Sequence, residues 1–208
     1  MTLPSDITFR HLRFDPDHLE SWEALLSAEE RVRADGFLRG KRRQEFILGR
    51  AAARMLLSER MEVNPKNVVL EVAESGAIDV VDSDLHISIA HSGDHAVAAA
   101  APRYVGVDIE AIAPRHVDLH RYMLHPDEYH LIDALPLDRE RAQILCWTLK
   151  EAVLKGMREG LRYSPKKLQL RIDMDRSAAA VETENGRNWT VFFEEWDAYY
   201  VAVAVEPD

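Results

Sequence analysis

Two long helix-forming stretches, each followed by a train of short strand-like runs, constrain this chain most. The first covers about residues 40–59, through QEFILGRAAARMLLSER, and is rich in the strong helix formers alanine and leucine. Behind it come VVLEVA, AIDVV, HISIA, HAVAAA and RYVGVDIEAI, separated by turns such as Glu74-Ser75-Gly76 and Ser92-Gly93-Asp94. The second helical stretch lies near 138–157, and LQLRID, AAAVET, WTVFFEEW and AYYVAVAV follow it. Helices and strands thus occur on both sides of a seam near Ala101-Pro102-Arg103. The reading is α+β, two packed lobes, residues 1–103 and 104–208. Ser27-Ala28-Glu29-Glu30 has the form of a capping box and predicts a helix start.

A chain of 208 residues with 47% hydrophobic content can bury such a core. It has no apolar run long enough for a membrane span, and its first residues do not read as a signal peptide. The lone cysteine, Cys146, sits in the apolar run ILCWTL and reads as a buried thiol of a cytoplasmic protein. A net charge of −10 argues against nucleic acid or an anionic membrane as partner. That charge is uneven. Between residues 31 and 54 stand eight arginines and lysines against Asp35 and Glu45, a local excess of six positive charges. It reads as a solvated helix face or as a site for several phosphates.

Three short stretches carry candidate chemistry. In Gly106-Val107-Asp108-Ile109-Glu110, strand alternation turns Val105, Val107 and Ile109 to a core and Gly106, Asp108 and Glu110 to the other face. Carboxylates about 7 Å apart can converge on one hard cation, or simply face solvent. In Trp147 to Lys155, the residues Trp147, Glu151 and Lys155 share a helix stripe, the ordinary arrangement of a stabilising pair. They could also add a carboxylate and an ammonium to a metal–phosphate site. In Ser88-Ile89-Ala90-His91-Ser92-Gly93, His91 ends a strand beside a glycine turn that could present N–H groups to an anion.

Taken together, a basic helix, SxxHSG, GVDIE and WxxKExxxK resemble the Sfp-type 4′-phosphopantetheinyl transferases. That family carries (V/I)G(V/I)D and (W/F)(S/T/C)xKE(A/S)xxK about 40 residues apart. Here these are Val105–Asp108 and Trp147–Lys155, and GMREGLRYSP, from Gly156 to Pro165, is similar to the family's glycine-leucine loop. Two positions depart from the pattern. Ala90 precedes His91 where serine is usual, and Gly76-Ala77-Ile78 lacks the lysine and proline of a Gly-Lys-Pro element.

The resemblance implies two similar lobes forming a pseudo-dimer within one chain, with the ligand cleft between them, and a monomer. It implies transfer of 4′-phosphopantetheine from coenzyme A to a serine of an acyl or peptidyl carrier protein. Asp108, Glu110 and Glu151 would hold Mg²⁺, with Asp108, Glu151 and Lys155 as the catalytic set. Arg42, Arg43, Arg50, Ala90, His91, Lys150 and Lys155 would bind coenzyme A. His120–Leu124 is the expected docking patch for the carrier. A non-catalytic coenzyme A or carrier-binding homologue and a metal-dependent phosphohydrolase stand as alternatives.

Overall fold

The computed structural model describes residues 1–114, 119–159 and 162–206. In chain order the elements are β1 (Thr8–Arg13), α1 (Leu19–Glu23), α2 (Ala28–Asp35), α3 (Gly40–Met61), β2 (Leu70–Val72), β3 (Ile78–Val80), β4 (His86–Ser92) and β5 (His95–Ala101). Then come β6 (Val105–Ala111), α4 (Leu119–Met123), α5 (Leu131–Ala134), α6 (Arg139–Gly156), β7 (Leu168–Asp173), β8 (Ala178–Thr183), β9 (Asn188–Trp196) and β10 (Tyr199–Val205).

The strands form two antiparallel five-stranded sheets, ordered β1-β5-β4-β3-β2 and β6-β10-β9-β8-β7. The two orders are the same. In each, the first strand pairs with the last, a long helix follows the first strand, and the remaining strands run back as a meander. The fold is therefore α+β with two similar lobes within one chain.

Local chemistry accounts for the main helices. Ser27 Oγ accepts from the Glu30 N–H at 3.2 Å and Glu30 Oε2 accepts from the Ser27 N–H at 3.0 Å, so the capping box starts α2. Asp138 accepts from the Arg141 N–H and caps α6. After Pro126 the chain forms a single 3-10 turn, Pro126–Glu128, and then the four-residue α5. No helix among the described residues is long and apolar enough to cross a membrane.

Three apolar layers hold the lobes. α3 covers one face of the first sheet through Ala52, Ala53, Leu56 and Leu57 against Ile87, Ala98 and Ala100. α6 covers one face of the second through Leu145, Leu149, Ala152 and Val153 against Val191, Ala202 and Ala204. The other two faces meet in a shared core of Val97, Ala99, Val105, Val107, Ile109, Val201 and Val203. Along this seam β4 fastens to the open edge of β6. Ser88 Oγ accepts from the Val107 N–H at 3.0 Å, and Ser92 Oγ accepts from the Ala111 N–H at 3.2 Å.

Candidate functional site

β6 turns Gly106, Asp108 and Glu110 away from the inter-lobe core and toward α6. The contact is very close. A Cβ on Gly106 would lie 1.9 Å from the Ala152 carbonyl oxygen and 2.4 Å from the Gly156 nitrogen. Only glycine lets the helix backbone rest on the strand in this way. The approach sets the stripe Trp147, Glu151, Lys155 over the carboxylates of β6.

Lys155 Nζ donates to Asp108 Oδ1 at 2.6 Å, and Trp147 Nε1 donates to Glu110 Oε1 at 3.1 Å. Asp108 Oδ2 and Glu151 Oε1 are buried with no hydrogen-bond partner. Burial pushes the Glu151 carboxyl up to about 7, with the neighbouring charges of Asp108 and Glu110 adding to the shift against the pull of Lys155. Burial works against the Lys155 ammonium, yet the charge and hydrogen bond of Asp108 outweigh it and hold the group above its usual range. Among the described residues no three such side chains already form a metal shell. The donor chemistry nevertheless fits a hard cation: buried, unpartnered carboxylate oxygens, with one carboxyl that burial first and its acidic neighbours second keep from ionising.

Beside this cluster two cavities adjoin along Ile78 and Ile89. One, of about 420 Å³, is lined by Arg33, Arg42, Glu45, Arg50, His91 and the rings of Phe37 and Phe46. The other, of about 210 Å³, lies between the Ser75–Ala77 loop, Ser88, Lys155 and Arg158. Lys155 therefore belongs both to the acidic cluster and to the cleft wall. Arg50 is buried. Its Nε pairs with Glu30 at 3.3 Å, its guanidinium lies over Phe46 at 5.3 Å, and its Nη1 has no partner. Burial holds it below its usual range despite Glu30. An oxyanion in the cavity would supply the missing acceptor.

The structure thus brings Asp108, Glu110, Glu151 and Lys155 together, with His91, Arg42 and Arg50 in the neighbouring cleft. Three other sequence candidates stand elsewhere. Arg43 is one helix position from Arg42 and points to Glu23 and Asp35. Lys150 is fully buried and donates to Glu128 Oε2 at 2.7 Å and to the carbonyls of Met123 and Pro165. Ala90 lies in the inter-lobe core, on the face of β4 opposite His91. The expected docking patch also changes: Met123 and Leu124 are core, while half-exposed Tyr122 packs near Trp147. Of the glycine-leucine stretch, Gly160 and Leu161 lie outside the described residues.

Sequence reasoning left Arg33, Phe46, Glu45 and Arg158 without roles. Arg42, Glu45, Phe46, Gly49 and Arg50 follow the i, i+3, i+4, i+7, i+8 spacing of one helix face, so most of that wall was legible. Arg158 supplies the cation beside Gly76 that the missing Gly-Lys-Pro lysine does not, and it pairs with Asp79 at 2.5 Å.

The ACPS family model, described as the 4′-phosphopantetheinyl transferase superfamily, matches residues 104–204. A 4′-phosphopantetheinyl transferase of Bacillus subtilis is 26% identical over 191 residues, 89% of this chain and 84% of its own length. The 4′-phosphopantetheinyl transferase HetI of Nostoc sp. is 31% identical over 152 residues, 69% of this chain. A Synechocystis sp. relative is 27% identical over 150 residues. The chain spans 64% of the length of the Nostoc protein and 61% of that of the Synechocystis protein.

Proposed function

Because the chain belongs to the Sfp-type 4′-phosphopantetheinyl transferases, we propose that it moves the 4′-phosphopantetheine arm of coenzyme A onto a serine of an acyl or peptidyl carrier protein, with Mg²⁺. The observation that carries the reading is the juxtaposition of three carboxylates and Lys155 with a cleft walled by arginines. Asp108, Glu110 and Glu151 would hold the ion, which supplies neutralising charge to the pyrophosphate when bound.

The chain's own groups do the rest. Arg33, Arg42, Arg50 and His91 bind the nucleotide phosphates, and Phe37 and Phe46 give the cavity apolar walls. Glu151 accepts the proton of the carrier serine. The serine oxygen bonds to the β-phosphorus, the bond from that phosphorus to the bridging oxygen breaks, and 3′,5′-ADP leaves. Lys155 stabilises the charge on the departing phosphate.

Residues 1–103 and 104–208 act as the two lobes of one functional unit, and a monomer suffices because both walls come from one chain. The fully buried thiol of Cys146 is in keeping with a cytoplasmic protein. The test is to incubate the purified protein with Mg²⁺, coenzyme A and an apo-carrier. A carrier mass gain of one phosphopantetheine is expected. Release of 3′,5′-ADP without any carrier would replace transfer with hydrolysis.

A further inference from the structure

The arginine-walled cavity contains one carboxylate. Glu45 lines the same cavity as Arg33, Arg42 and Arg50, and its side chain is only 16% exposed. A charge there opposes any incoming phosphate. Among the described residues its ion-pair partner is His91, whose Nδ1 lies 3.7 Å from Glu45 Oε2. His91 projects from β4 toward α3, where Glu45 faces it with the imidazole half-exposed, and the charges of Lys155 on α6 and Asp108 on β6 act on it from further off. Arg42 and Arg50 share its cavity.

These surroundings pull in both directions. Burial disfavours the imidazolium most, Glu45 and Asp108 favour it, and Lys155 opposes it. The balance holds His91 below its usual range, so the free cleft presents a neutral imidazole around neutral pH. An arriving phosphate would reverse that balance. A carboxylate facing Nδ1 fixes which nitrogen turns to the ligand and stabilises the cation that forms, as carboxylates do behind metal-binding histidines.

We propose that Glu45 is a positioning residue for His91: it orients the ring with Nε2 toward the nucleotide phosphates and stabilises its protonated form, so that nucleotide binding takes up a proton. The inference rests on the nucleotide reading of the cleft. It accounts for a carboxylate standing among three guanidiniums. The arginines bring permanent charge, and the Glu45–His91 pair adds a charge that exists only when an anion is present to share it.

The experiment is calorimetric titration of the metal-free protein with 3′,5′-ADP across the neutral pH range, in buffers of differing ionisation enthalpy. Wild-type protein should take up as much as about one proton and lose up to about tenfold in affinity per pH unit on the alkaline side. Glu45→Gln should remove most of the uptake and flatten the pH dependence. His91→Asn should remove at least as much, leaving only what the Glu151 carboxyl takes up, and the double variant should match His91→Asn. A Glu45→Gln protein that binds more tightly by the same factor at every pH, with uptake intact, would overturn the proposal and leave Glu45 a plain repulsive charge. Wild-type binding with no proton uptake would overturn it too. Absence of any 3′,5′-ADP binding would instead bring down the nucleotide reading, and the inference with it.

Discussion

The two lobes wind their strands in the same order but meet their long helices differently. In the first, α3 rests on a layer of methyl groups, with Ala52 and Ala53 facing Ala98 and Ala100. In the second, Gly106 and Gly156 remove that layer, and the backbones of α6 and β6 touch. The charge differs as well. The first lobe offers Arg33, Arg42 and Arg50 to the cleft, and the second sets Asp108, Glu110 and Glu151 beside it, reaching the cleft wall through Lys155. A repeated scaffold therefore carries no chemistry by itself. The missing Cβ atoms set how near Glu151 and Lys155 come to Asp108, and that closeness gathers the acidic cluster in the second lobe.

The largest expected effect tests the charge half of this contrast. Asp108→Ala should cut transfer by more than about a hundredfold, since removal of groups that merely support metal ligands already costs up to that much. Circular dichroism should show the fold retained. Ordinary turnover in the variant would remove Asp108 from the site.

Gly106→Ala tests the packing half. The added methyl collides with helix backbone, which cannot move aside like a side chain. A cost of about 1–3 kcal/mol or more in denaturant unfolding is expected. The opposite exchange in the first lobe, Ala98→Gly, should cost only about 1 kcal/mol. Equal costs would show that the two helices are seated alike.

Glu151→Gln separates function from stability. The Glu151 carboxyl titrates at about 7 in the folded protein instead of the ordinary 4.5. The folded state thus holds this proton more tightly than the unfolded state. Its stabilising contribution is complete in acid and is lost as pH rises from 4.5 to about 7. Metal-free Glu151→Gln should therefore exceed wild-type stability above neutrality by roughly 1–3 kcal/mol, with the gap closing in acid. Thermal melts across that range check it, and a variant no more stable at alkaline pH would contradict the burial of Glu151 beside the other carboxylates.

Arg50→Ala asks whether the first lobe holds the 3′-phosphate. Losing one charge-assisted hydrogen bond should reduce the preference for coenzyme A over dephospho-coenzyme A by roughly tenfold. Glu30 keeps Arg54, so the helix contact survives. An unchanged ratio would move that phosphate to Arg33 or Arg42.

The smallest effect is at the seam between the lobes. Ser88 and Ser92 bond the backbone of Val107 and Ala111, and by the same two-residue period position 90 stands opposite Ile109. In Ala90→Ser the hydroxyl should join this ladder and stabilise the protein by at most about 1 kcal/mol. Affinity for coenzyme A should stay unchanged. A gain in affinity with no gain in stability would put position 90 back at the phosphates.

Patterns that repeat along one element are legible in the residues alone. The capping box at Ser27, the two long helices, the buried Cys146 and the split of β6 into an apolar and a carboxylate face each follow from local period. Adjacent residues with different fates are not. Lys150 and Glu151 are neighbours in one motif, yet the turn of the helix sends Lys150 into a buried pair with Glu128 and Glu151 to the cluster. Ala90 and His91 divide between opposite faces of β4 in the same way.

The order of residues dictates which side-chain types lie on a common stripe, because the helix and strand repeats are properties of the backbone. It also dictates that the basic helix precedes the acidic strand. Which stripes face each other is settled by packing in three dimensions. That depends on contacts between elements far apart in the chain: Gly106 against Gly156, Glu45 beside His91, and Ser88 on the edge of β6. No local repeat encodes those distances, since they are set by the volume of the side chains that packing leaves between one backbone and the next.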